Sequence, residues 1–130
     1  MYRILSFLFI FSTLGACAQS AGGANQTNMN VQEVNTLLDE NKEVVLIDVR
    51  TPDEFNQGHL EGADLINFYG ANFQDEVAKL DKEKEYVIYC RSGGRSGKAV
   101  NMMQQMGFKN VHNMSGGILA WNRANLKTVK

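Results

Sequence analysis

A chain of 130 residues with 44% hydrophobic residues, one proline and no long polar tract has room for one compact domain plus a short extra segment, not for two domains. Thirteen basic residues against 14 acidic ones give a net charge of −1, and no basic face marks the chain as a nucleic-acid binder.

The extra segment is at the front. Arg3 precedes an apolar stretch over residues 4–14 that is broken by Ser6, Ser12 and Thr13. That length suits a secretory signal and is well short of the roughly 20 residues that span a bilayer. The chain is therefore expected to be exported. Leu14-Gly15-Ala16-Cys17 has the form of a bacterial lipobox, while Ala16-Cys17-Ala18 also meets the small-x-small rule of ordinary cleavage. The lipobox is preferred, because a leucine three places before a cysteine with small residues between is its pattern. On that reading residues 1–16 are a signal peptide, Cys17 is lipidated, and the protein is held to a membrane of the cell envelope, facing the periplasm. On the other it is soluble, periplasmic or secreted. Removing residues 1–16, which hold one base and no acid, leaves 12 basic against 14 acidic residues, a net charge of −2.

Residues 18–29 are Ala, Gly, Ser, Asn, Gln and Thr with one Met and no charge, so residues 17–29 read as a flexible tether. The domain is placed at residues 30–130. Asn30 with Glu33 forms a capping box, and Val31, Val34, Leu37 and Leu38 share one helical face up to Asn41-Lys42. Residues 44–49 are a β-branched apolar run suited to a strand buried on both faces, and residues 86–89 are a second. Between them Asn72 is positioned to cap a helix with Phe73, Val77 and Leu80 on one side and Asp75 and Glu76 in its first turn. Another helix is predicted from Ser96, with Ala99, Met102, Met103 and Met106 as core filling and Gly107 as its stop. A strand over residues 110–114 and a helix over 118–124 carrying Trp121 complete the chain. This alternation predicts an α/β fold with a mostly parallel sheet and helices on both faces. Ligands of such sheets bind beyond the carboxyl ends of the strands, where Asp48 and Cys90 both fall.

Whether Cys17 is lipidated or discarded, Cys90 is the one thiol left, and no internal disulfide forms. It opens the stretch Cys90-Arg91-Ser92-Gly93-Gly94-Arg95-Ser96, directly after a strand and before a helix. Nearby cations, backbone N–H groups and a helix N-terminus all stabilise a thiolate there. The plainer reading, a buried cysteine acting as a small hydrophobe, fits poorly with two arginines and two glycines beside it. A Walker A loop fails, since aligning Gly97-Lys98 puts Ser92 at the first glycine and Ala99 at the hydroxyl position. Gly94-Arg95-Ser96-Gly97-Lys98 lacks the last glycine of a serine nucleophile elbow. One cysteine with the separated His59 and His112 supplies no recognisable zinc site, and neither metal nor cofactor is expected.

Several ordered motifs together resemble the rhodanese family. They are Asp48-Val49-Arg50, Glu54-Phe55, Gly58-His59-Leu60-Glu61-Gly62-Ala63, the loop from Tyr89 to Ser96, Gly107-Phe108 with Val111, and Gly116-Gly117 before Trp121. The resemblance implies a rhodanese-like three-layer sandwich and sulfurtransferase activity, with Cys90 cycling between thiolate and persulfide. Its partners would be a small anionic donor such as thiosulfate and a thiol or cyanide acceptor, a protein thiol included. The backbone of residues 91–96 would cradle the charge, with Arg95 and Arg91 orienting donor oxygens. Asp48, Arg50, Glu54 and His59 resemble the family's structural polar set. Rhodanese-type loops have four residues between the cysteine and the basic position, as here between Cys90 and Arg95, whereas the related dual-specificity phosphatases have five. Two further readings stand beside sulfur transfer: a non-catalytic persulfide carrier or docking module, and a small phosphatase or arsenate-type reductase.

Overall fold

The computed structural model describes residues 27–130; the expected signal peptide, Cys17 and the expected tether up to residue 26 lie outside the described residues. In chain order the elements are β1 (Asn28–Met29), α1 (Val31–Glu40), β2 (Val45–Asp48), α2 (Pro52–Asn56), β3 (His59–Leu60), β4 (Asp64–Leu65), α3 (Phe73–Ala78), β5 (Glu85–Tyr89), α4 (Gly94–Gln105), β6 (Asn110–Met114), α5 (Gly117–Arg123) and β7 (Thr128–Val129). Five strands form a sheet in the order β1-β6-β5-β2-β4, every pair parallel. β3 and β7 form a separate antiparallel pair.

The alternation of side chains along β2 and β5 builds two cores. Leu46, Val87 and Tyr89 face Val31 and Val34 of α1 and Ile118 and Trp121 of α5. Ile47, Tyr86 and Ile88 face Val77 of α3 and Val100 and Met103 of α4. Continuous apolar strands are required because both faces are covered, and each buried aliphatic side chain contributes about 1.5–3 kcal/mol. This is the expected three-layer α/β sandwich, and Met103 is buried in it as core filling.

Several boundaries differ from expectation. Asn28 and Met29, expected to end the tether, form β1, and the carbonyls of Thr27 and Met29 accept hydrogen bonds from Asn113 N (2.6 Å) and Ser115 N (2.8 Å). Two residues are too few to show strand periodicity. The capping box at Asn30 is present, with bonds of 2.9 and 2.8 Å between Asn30 and Glu33. Asn72 caps nothing with its side chain, and its φ of −105° and ψ of 13° are not those of an extended cap. α2, β3, β4 and β7, all five residues or fewer, were not predicted.

Candidate active site

At the carboxyl ends of the parallel strands β2 and β5, Asp48 is paired with Tyr89, the residue before Cys90, so Asp48 and Cys90 lie at the same edge of the sheet. After β5 the chain must turn at once into α4. Gly93 does this at φ 102°, a left-handed conformation that L side chains avoid, so α4 starts at Gly94 and not at Ser96. The earlier start has a chemical consequence. Ser96 is freed from capping, lies fully buried in the first turn, and donates its hydroxyl to Cys90 Sγ at 3.3 Å. Gly93 N donates to the same sulfur at 3.1 Å.

Cys90 is 1% exposed and belongs to the core cluster on the α4 side, so it is more enclosed than a loop thiol was expected to be. Burial by itself pushes the thiol up. The Ser96 hydroxyl and the N–H groups of Ser96, Gly93 and Ser92 outweigh that and hold it below its ordinary value. The positive end of the 12-residue α4 points the same way. A thiolate is thus favoured in a pocket that solvates it with protein donors.

Around this cradle the polar set divides into two ion pairs. Asp48, fully buried, accepts from Arg50 Nε at 3.0 Å and Nη2 at 2.7 Å, and Arg50 Nη2 also donates to Gly58 O at 2.7 Å. Burial opposes the Arg50 charge, yet Asp48 restores it and raises its pKa above the ordinary value. The pair ties the end of β2 to the turn before β3. Glu54 takes two 2.8 Å bonds from Arg95 Nη1 and Nη2, and its Oε2 also accepts from Thr51 N, completing a capping box on α2. The Arg95 hydrogen bonds, with smaller help from Thr51, lower Glu54 from 4.5 to about 2.

Arg95, expected to orient donor oxygens, is paired with Glu54. Its terminal nitrogens are already committed to a carboxylate, its face lies 5.5 Å from the exposed ring of Tyr69, and its charge acts on Cys90 from within a neutralised pair. Arg95 is a brace between α2 and α4. Arg91 is exposed and makes no ion pair among the described residues. His59 is held against Phe55 of α2. Its Nδ1 lies 3.1 Å from Phe55 O and its ring stacks on Phe55 at 3.7 Å.

Compared with known proteins, the sequence matches the Rhodanese-like domain family over residues 30–124. The chain belongs to the rhodanese-like domain family. It is 35% identical over 98 residues to a protein of Allochromatium vinosum named "Sulfurtransferase", covering 75% of this chain and 90% of that one. It is 36% identical over 104 residues to the "Probable adenylyltransferase/sulfurtransferase MoeZ" of Mycobacterium tuberculosis, and there it covers 80% of this chain but spans about a quarter, 26%, of the relative. Among solved structures, the rhodanese-like domain protein of Staphylococcus aureus superposes with a TM-score of 0.66 at 31% identity, over 74% of this chain and 91% of that one.

Two residues of this rhodanese-like site were not singled out as functional in the sequence. Gly117, at φ 58°, brings the start of α5 against the chain at Cys90 and Arg91, where a Cβ would overlap their carbonyls. Ile118 N and Leu119 N donate to those same carbonyls at 2.9 and 3.2 Å. The Gly116-Gly117 pair was a legible signal for a close approach. Asn113 gave no signal. It is 8% exposed beneath the loop, and its Nδ2 bonds to Asn28 Oδ1 at 3.1 Å and reaches Gly93 O at 3.4 Å. No helix among the described residues is long and apolar enough to cross a membrane.

Proposed function

We propose that this domain is a sulfurtransferase in which Cys90 takes sulfane sulfur from a thiosulfate-like anion and passes it to a thiol or cyanide. The observation that carries this reading is the enclosed thiol, held below its ordinary pKa by a hydroxyl and a row of N–H donors. The Cys90 thiolate attacks the outer sulfur of the donor, a new S–S bond forms, and the old one breaks with its electron pair to release sulfite. The resulting persulfide keeps its negative charge within the same cradle of donors. Attack by an acceptor on the outer sulfur then returns the electron pair to Sγ. The donors that lower the Cys90 thiol assist loss of its proton.

Arg91 supplies the attraction for an anionic donor, and the Asp48–Arg50 and Glu54–Arg95 pairs keep the walls rigid. The test is the intact mass of residues 27–130 after thiosulfate and then cyanide. Gain of one sulfur that cyanide removes, absent in Cys90→Ser, is expected; no added sulfur with thiosulfate or a polysulfide would overturn the reading. We further propose that Cys17 is lipidated and that the domain works at the cell envelope, supported by the Leu14-Gly15-Ala16-Cys17 pattern. Cys17→Ser in the full chain should release the protein from membranes, and unchanged retention would refute the anchor.

A further inference from the structure

The N–H that Gly93 donates to Cys90 Sγ at 3.1 Å comes from the residue type least able to hold a direction by itself. Gly93 sits at φ 102° and ψ −6°, and its carbonyl is held from two sides. Gly97 N donates to it at 3.0 Å from within α4, and Asn113 Nδ2 reaches it at 3.4 Å from the end of β6. The Asn113 amide is packed against this first turn of the helix, since a Cβ on Gly93 or Gly97 would stand 3.9 or 3.5 Å from its nitrogen.

What aims that amide lies outside the loop. Asn113 Oδ1 is buried and has no hydrogen-bond partner among the described residues, so its orientation is decided by what Nδ2 donates to. The shorter of the two Nδ2 bonds, 3.1 Å, goes to Asn28 Oδ1 in β1. A half-turn of the amide would bring its oxygen against two acceptors, Asn28 Oδ1 and Gly93 O, in place of its donor. Asn28 therefore favours the orientation in which the nitrogen faces Gly93. β1 does not need this side chain to stay in the sheet, because Asn113 N and Ser115 N already bond to the carbonyls of Thr27 and Met29.

We propose that Asn28 is a positioning residue for the nucleophile, acting through Asn113 on Gly93 and so on the donor that Gly93 turns to Cys90 Sγ. Three hydrogen bonds in series join the edge strand to the sulfur: Asn113 Nδ2 to Asn28 Oδ1, Asn113 Nδ2 to Gly93 O, and Gly93 N to Cys90 Sγ. The consequence for catalysis rests on the sulfur-transfer reading; the effect on the thiol does not.

The test uses the full chain carrying Cys17→Ser, so that Cys90 is its one thiol. Asn28 is exposed, and Asn28→Ala should leave the Asn113 and Ser115 amides as protected from hydrogen exchange as before. The pH midpoint of Cys90 alkylation should nevertheless rise by about half a unit, a fraction of what full loss of a donor to a charged sulfur would give. Sulfur uptake from thiosulfate should be about threefold slower below the midpoint and equal above it, because half a unit is a threefold change in thiolate fraction. Asn113→Ala should raise the midpoint at least as far, and adding Asn28→Ala to it should change nothing further, within about 0.2 unit. An unmoved midpoint in Asn28→Ala would overturn the proposal. So would additive shifts in the double variant, or loss of the Asn113 and Ser115 protection, which would assign the effect to the strand and not to the side chain. Failure of the unsubstituted domain to take up sulfur, with the midpoints shifted as expected, would sink sulfur transfer and leave the positioning of the thiol standing.

Discussion

Replacing Glu54 by glutamine tests the brace that the tertiary structure places beside the thiol. The amide keeps the size of the carboxylate and an oxygen for Thr51 N, but it removes the charge that Arg95 meets at 2.8 Å through both terminal nitrogens. The fall in Glu54 from 4.5 to about 2 corresponds to roughly 3 kcal/mol. Glu54 keeps 27% of its side chain in water, which reduces this to about 2 kcal/mol. Because the folded value lies below the unfolded one, this stability is fully present above pH 4.5 and is lost as the pH falls toward about 2. Urea unfolding at a series of pH values should therefore show wild type and Glu54→Gln about 2 kcal/mol apart from pH 7 to 5, converging below pH 4.5. The variant should also leave Arg95 less neutralised near Cys90, so its thiol should alkylate faster at pH 6. A stability difference that stays constant down to pH 3, or one under about 0.5 kcal/mol at pH 7, would refute the reasoning.

Ser96→Ala removes the one hydroxyl donor to the sulfur, and the pH midpoint of Cys90 alkylation should rise by about one unit, the worth of a charge-assisted hydrogen bond; an unmoved midpoint would show that the backbone alone sets it. In the wild type that midpoint should lie below that of a free thiol, with alkylation rising as pH increases through it and then levelling off. Gly117→Ala should cost about 2–5 kcal/mol, from a left-handed φ plus overlap with the Cys90 and Arg91 carbonyls, and thermal melting should show it directly. Cys90→Ser should form no persulfide while staying within about 1 kcal/mol of wild type, since it keeps the volume of a buried position almost unchanged. Asn113→Ala should slow persulfide formation by loosening Gly93, measured as the rate of sulfur uptake from thiosulfate, and a wild-type rate would show that Gly93 holds itself.

The sequence by itself determined the α/β class, because the runs at β2 and β5 are apolar on consecutive positions and can only lie between two covered faces. It also singled out Cys90 as the candidate nucleophile, since a lone thiol between a strand and a glycine-rich helix start is a local pattern. The strand at residues 110–114 and the capping box at Asn30 were legible for the same reason. What the tertiary structure decided depends on residues far apart in the chain. Arg95 meets Glu54 across 41 positions, so the residue expected to orient donor oxygens also ties α2 to α4. Asn113 reaches Asn28 across 85 positions, and β3 finds β7 only when the domain has closed. Short strands and side-chain pairings of this kind carry no periodicity and no local capping signature, so their partners exist only once the sheet has brought the ends of the chain together.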